Sequence, residues 1–288
     1  MKRIILIDFS WLYNRYYYVA SYNVSTSEET KDVKETLKRM LLQFLTLVHR
    51  SYPSAKVFLA LDPATSTLKN KGIFEGYKQN RDKEAKKEVY LPLTEIIKYL
   101  VAKLDSEVFS FVKGKGYEAD QVIAHIVKTL YEKTEIIIYS GDKDLLQLTS
   151  YPNVLLADKF ERGSFLTKTD KEIFEKFKNS KGEDFSRISE NKRDILKYRS
   201  LKGDSSDNLS SVFPRIKDKE IAEVIKNYWV DNQEERLTEE RIETILEDLK
   251  DSNPTLAEKL RASQKVWLRN YQIMDLLHVD NISIKRLK

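Results

Sequence analysis

The sequence predicts an α/β fold, a central and mostly parallel sheet flanked by helices, from three observations. Three short apolar runs, "IILID" (4–8), "VFLALD" (57–62) and "EIIIYSGD" (135–142), have the length and composition of buried strands. Segments with apolar residues at helical spacing lie between them, at 33–50, 91–104 and 118–133. Strand, helix, strand in alternation builds a parallel sheet with helices on both faces.

Composition narrows the function classes. The 288 residues suffice for one large or two modest domains, and 41% hydrophobic content supports a core beneath a surface that is heavily ionic, at 33% charged residues. No run of 18 apolar residues occurs, so no membrane span is expected. The opening "MKRIILIDFS" has the basic pair of a signal peptide, but Asp8 interrupts its apolar run and no small-residue cleavage site follows; it reads as a strand. The absence of cysteine excludes a disulfide framework and thiolate metal sites. His49, His125 and His278 are scattered without ligand spacing, so a metal here would be held by oxygen. A net charge of +5 fits a polyanionic partner.

The acids carry the chemistry. Each strand run ends in an aspartate: Asp8, Asp62 and Asp142. The carboxyl ends of strands in an open parallel sheet face one crevice, where ligands bind. Asp144 follows Asp142 at i+2, which in an extended segment projects to the same side. A further short strand, "EVFSF" (107–111), leads to Glu118 and Asp120 at the start of a helix whose Val122, Ile123, Ile126, Val127 and Leu130 form its buried face. Two readings of that pair stand side by side. The acids cap the helix, or they join the others around a cation. Crowded carboxylates resist ionisation unless a cation neutralises them, and hard oxygen donors suit Mg²⁺ or Mn²⁺.

Six motifs now fall in order: "LIDFS" (6–10), "ALD" (60–62), "GYKQNR" (76–81), "YEAD" (117–120), "SGDKDLLQL" (140–148) and "LKGDSSDN" (201–208). Over roughly residues 3–210 the chain resembles the 5′-nuclease superfamily of flap endonucleases and 5′→3′ exonucleases, nearest in pattern to its phage ribonuclease H branch. The resemblance implies a metal-dependent nuclease domain at 1–190 and a helical, helix–turn–helix-like DNA-binding domain at 191–288. It implies two Mg²⁺ ions, with Mn²⁺ as a substitute, held by Asp8, Asp62, Glu118, Asp120, Asp142, Asp144 and Asp207, with Asp204 nearby.

It also implies a helical bridge over the site at 68–90, where seven Lys/Arg stand against four Asp/Glu with Phe74, Tyr77 and Tyr90 interleaved. Lys78 and Arg81 would then point at the scissile phosphate from one helical face, Tyr77 would stack on a base, and Lys83 would contact DNA. The family's glycine-rich hairpin after the aspartates is absent. Arg215, Lys217 and Lys219 stand there instead and would bind phosphate by charge. Gln121 replaces an acid common in relatives, which predicts looser cation binding that Gln121→Asp would tighten. Tyr13 and Arg15 in "WLYNRYYYVASY" (11–22) are weighed as DNA contacts against a core and helix-face reading. Residues 238–275 predict two or three amphipathic helices.

The function so implied is Mg²⁺-dependent 5′→3′ exonuclease, 5′ flap endonuclease and ribonuclease H activity that removes RNA primers and flaps during replication. The protein would be a cytoplasmic monomer of a bacterial or phage-infected cell, acting on branched or nicked DNA and RNA–DNA hybrids. Its helper would be a single-strand-binding protein or a sliding clamp. Two rivals share the acidic crevice: a PIN-type ribonuclease and a non-catalytic structure-specific DNA-binding protein.

Overall fold

The computed structural model describes residues 2–25, 33–81, 89, 92–169, 171–172, 189, 191–230 and 236–287. Its centre is β1 (Lys2–Asp8), flanked on one side by β2 (Lys56–Ala60) and β3 (Phe109–Gly114), and on the other by β4 (Thr134–Tyr139) and β5 (Val154–Glu161), all parallel. Two antiparallel edge strands complete the order β6-β5-β4-β1-β2-β3-β7: β6 (Ser164–Thr167) beside β5, and β7 (Ile284–Leu287) beside β3. The chain moves outward from β1 to β3 and then returns to β4, so the strand order reverses beside β1. Such a switch point opens a crevice at the carboxyl ends.

Residues of β1 and β4 alternate between two cores, as a pleated strand requires. Leu6, Ile136 and Ile138 face one side; Ile5, Ile7, Ile137 and Tyr139 face the other. The second side is covered by α1 (Phe9–Ser25), α2 (Val33–Ser51) and α4 (Leu93–Lys103); α3 (Leu68–Ile73) lies between β2 and α4 in sequence. The first side is covered by α5 (Ala119–Leu130) and then by the C-terminal helices: α6 (Asp194–Lys202), α7 (Asp218–Glu223), α8 (Glu239–Ser252), α9 (Pro254–Ala262) and α10 (Gln264–Met274). Leu6 and Val122 belong to the same apolar cluster as Leu201, Ile245 and the fully buried Trp267. The C-terminal helices are thus packed on the sheet through a continuous core.

Several boundaries differ from the sequence expectations. β2 stops at Ala60 and β4 at Tyr139, so Asp62 and Asp142 stand two and three residues beyond their strands, in the loops. Asp144 is not extended: it opens a 3-10 helix, Asp144–Ser150, and its N–H donates to the Asp142 carboxylate (2.9 Å). In the bridge, residues 75–80 form turns rather than a helix, and Lys78 is left-handed at φ 55°, so the shared helical face expected of Lys78 and Arg81 does not exist. Lys83 and Tyr90 lie outside the described residues. Of the two or three helices expected in 238–275, three are present, and β7 follows them back to the sheet.

Candidate active site

Asp8 is the last residue of β1 and the first support of α1. One carboxylate oxygen accepts the Trp11 N–H (3.0 Å) and the other accepts the Ser140 hydroxyl (2.9 Å). No loop separates the strand from the helix, so the carboxylate is fixed at the floor of the crevice, 7% exposed. The Ser140 oxygen in turn accepts the Asp142 N–H (3.0 Å), which ties the loop after β4 to the same point. On the β2 side the Asp62 N–H donates to the Ser10 hydroxyl oxygen (3.3 Å), and its carboxylate accepts the Ala119 N–H (2.8 Å) at the start of α5. Asp120 lies one residue further along α5. Asp8, Asp62, Asp120 and Asp142 therefore line one cleft of about 1560 Å³, together with Lys78 and Arg81.

The eight expected ligands fall into two sets. Glu118, Asp144, Asp204 and Asp207 have basic partners. Glu118 pairs with Lys78; Asp207 pairs with Arg81 and, at 3.7 Å, with Lys78. Arg199 stands 2.7 Å from Asp144 and 2.6 Å from Asp204. Asp8, Asp62, Asp120 and Asp142 make no salt bridge among the described residues. The electrostatics follows burial as well as pairing. Burial, then Asp62 and Asp142, push the Asp8 carboxyl up to about 7. Burial and Glu118 raise Asp120 well above the ordinary range, against the pull of Lys78. Asp144 also reaches about 7, because burial and Asp142 outweigh Arg199. Asp204 is held low: burial opposes this, but Arg199 and the Ser206 N–H and hydroxyl favour its charge.

The donor set fits a hard divalent cation. It is all oxygen, its charges repel one another, and Asp144 Oδ1 is buried without a hydrogen bond despite its ion pair. Among the described residues no three acids or histidines are drawn together closely enough to cage an ion. A cation that retains several of its waters suits such an open arrangement.

Two expectations, for Tyr77 and Gln121, require correction. Tyr77 is 3% exposed; its hydroxyl donates to Glu118 (2.7 Å) and Asp207 (3.1 Å), so its ring is core and offers no face to a base. Gln121 is 5% exposed and its oxygen accepts the Glu118 N–H (3.1 Å), closing a capping box, while its amide donates to Asn70 (3.3 Å). It faces inward and does not line the cleft, so an acid there would not join the cleft carboxylates. For Tyr13 the core reading holds: it is fully buried, its hydroxyl donating to the Val89 carbonyl (2.6 Å). Arg15 is exposed; it donates to the Asp158 carbonyl and lies over the Trp11 ring. The capping reading of Glu118 holds: it is the N-cap of α5, and its carboxylate meets Lys78, Tyr77 and Asn70.

In the C-terminal part Gly203 ends α6 at φ 76°, and an added Cβ would meet the backbone of Leu209 and Ser210 at 2.5–2.6 Å. The next turn therefore folds tightly enough to place Asp204 and Asp207 opposite the bridge. Arg215 and Lys217 are exposed in the approach to α7 and Lys219 is exposed in its first turn; Arg215 takes φ 61° where a glycine would be at ease. Arg199 and Asn70 were not foreseen. Neither carries a motif signal, because each acts through residues distant in sequence.

The sequence matches the family described as 5′–3′ exonuclease, N-terminal resolvase-like domain, over residues 3–178. A 5′–3′ exonuclease of Mycoplasma genitalium is 30% identical over 217 residues, which cover 74% of this chain and 68% of that protein. One from Mycoplasmopsis pulmonis is 26% identical, over 73% of this chain and 62% of its own length, so the chain spans about two thirds of these relatives. Among solved structures, the T5 D15 protein co-crystallised with metal ions superimposes with a TM-score of 0.64 at 17% identity, covering 96% of this chain and 90% of that one. A T5 D15 flap endonuclease variant in complex with DNA and metal ions gives 0.60 at 17% identity, covering 96% and 89%. Those two likenesses concern the fold, whereas the family match extends over more than half the sequence. The chain belongs to the 5′–3′ exonuclease family.

Proposed function

We propose that the protein is a Mg²⁺-dependent 5′→3′ exonuclease and structure-specific 5′ flap endonuclease with ribonuclease H activity, which removes RNA primers and flaps during DNA replication. The observation that carries this reading is the cleft itself: four carboxylates without a basic partner among the described residues line it, and Lys78 and Arg81 stand among its walls. The metal-bound and DNA-bound T5 relatives support it by analogy. Residues 1–190 would carry the chemistry, and 191–288 would grip duplex DNA.

Asp8, Asp62, Asp120 and Asp142 would hold a pair of Mg²⁺ ions, with Glu118, Asp144, Asp204 and Asp207 behind them. When bound, the ions supply an acidified water and charge stabilisation for the leaving oxygen of an in-line displacement. The side chains do the rest. Lys78 stays charged, because Glu118, Asp207 and Asp120 outweigh the burial that opposes its protonation. Its ammonium and the Arg81 guanidinium are therefore placed to meet charge that develops on the scissile phosphate. Arg215, Lys217 and Lys219 would bind duplex phosphates by charge, weakening as salt rises.

The test is a 5′-labelled flap, a nicked duplex and an RNA–DNA hybrid incubated with the protein in Mg²⁺ or in EDTA. Cutting of flap and hybrid in Mg²⁺, and none in EDTA, is expected. Cutting of unpaired RNA alone would favour the PIN-type reading. Tight flap binding without cutting would favour a non-catalytic binding protein.

A further inference from the structure

Lys78 has a backbone conformation that long L side chains rarely adopt, φ 55°, in the residue read above as a phosphate-charge partner. Such a conformation persists only where surrounding contacts enforce it. The Lys78 N–H donates to the Asp207 carbonyl (3.0 Å). Asn208, itself left-handed at φ 61°, donates through its side-chain amide to the Gly76 carbonyl (2.8 Å). The Asn80 amide donates to the Ser205 carbonyl (2.7 Å). Two left-handed turns, one in the bridge and one after α6, are thus clamped face to face.

The C-terminal side of this clamp is anchored. Asp204 and Leu209 exchange both backbone hydrogen bonds at 2.8 Å and close the base of the turn. The fully buried Asn270 of α10 donates to the Ser210 carbonyl (2.8 Å) and the Ser200 carbonyl (3.0 Å), fixing the turn to the helical core. The bridge side, by contrast, has little apolar content between Gly76 and Arg81 beyond the buried Tyr77 ring. Asn is suited to both tasks of position 208, because it tolerates the left-handed region and carries an amide donor.

We propose that Asn208, with Asn80, is a positioning residue for the nuclease reaction: the two clamp the entry turn of the bridge to the 205–208 turn and so aim Lys78 and Arg81 at the cleft. Neither asparagine touches the reacting atoms; both act through the basic pair. The proposal rests on the nuclease reading above.

Asn208→Gly tests it, since glycine keeps the left-handed turn and removes only the amide donor. Single-turnover cleavage of a flap should fall 10- to 100-fold, while flap affinity and the Mg²⁺ concentration for half-maximal rate stay within twofold of wild type. Asn80→Ala should fall less, and Asn208→Asp, which faces an acceptor with an acceptor, at least as far as Asn208→Gly. In a Lys78→Ala, Arg81→Ala background Asn208→Gly should have no further effect, a coupling that general destabilisation would not produce. A nitroxide at Gln79→Cys, the single thiol of an otherwise cysteine-free chain, should gain mobility in Asn208→Gly. Wild-type rates in Asn208→Gly, or an equal loss with and without the basic pair, overturn the proposal alone. A wild-type protein that cuts none of the substrates overturns it together with the nuclease reading.

Discussion

Arg199 Nη2 lies 2.7 Å from a carboxylate oxygen of Asp144, and the same nitrogen lies 2.6 Å from Asp204. One guanidinium from α6 therefore joins the loop after β4 to the turn after α6. The Arg199 side chain is 13% exposed, so the pairs are largely shielded from solvent.

Removing one partner of a buried pair leaves an uncompensated charge. Arg199→Ala should destabilise the fold by roughly 3 kcal/mol at pH 8, a typical figure for breaking a buried pair. The loss should shrink at pH 6, where Asp144, deprived of the cation, can take up a proton. Urea melts at the two pH values measure this. An equal loss at both would mean that Arg199 acts through packing and not through charge.

Asp142→Asn separates chemistry from binding. Cleavage should drop by several orders of magnitude with flap affinity near wild type, because Asp142 lines the cleft and makes no ion pair among the described residues. In EDTA the variant should melt no lower than wild type, since a charge that repels Asp8 and Asp120 is gone. Wild-type turnover at millimolar Mg²⁺ would sink the assignment.

The raised acids predict the pH dependence of the metal-free protein. Asp8 and Asp144 titrate at about 7 in the fold, against an ordinary 3.8. Between those values the folded state holds protons that the unfolded chain releases. Their stabilising contribution is complete below about pH 4 and is lost as pH rises through 7. Acids held low by cations, such as Asp204 and Asp280, titrate below this window. Thermal melts in EDTA should therefore fall by roughly 5 °C from pH 6 to pH 8, and Mg²⁺ should raise the melting temperature more at pH 8. A melting temperature that climbs over this interval in EDTA would contradict the charge assignments.

Gln121→Asp is expected to harm rather than help. The shorter side chain cannot close the capping box with the Glu118 N–H, and it places an anion in a buried site beside Glu118. A loss of about 1–3 kcal/mol is expected from the unpaired donor and the added charge. The Mg²⁺ requirement for cleavage should not fall. A thermal melt with a Mg²⁺ titration distinguishes this from the sequence expectation of tighter binding.

The run of isoleucines in β1 and β4, with an acid at or just beyond each strand end, determined the sheet, its parallel sense and the carboxyl-end crevice, because period-2 burial and strand polarity are local properties of the chain. Asp8, Asp62 and Asp142 could be placed there without coordinates for the same reason. What tertiary structure decided was the pairing of those charges. Arg199 meets Asp144 from 55 residues away, and Lys78 meets Glu118 from 40. No window of sequence contains both partners, so their neutralisation could not be read. Tyr77 and Gln121 were misread for the complementary reason: their residue types suit a base or a cation in the open, and only packing against Glu118 turns them inward. Burial is a property of what the rest of the chain brings, which is why the acids were legible and their partners were not.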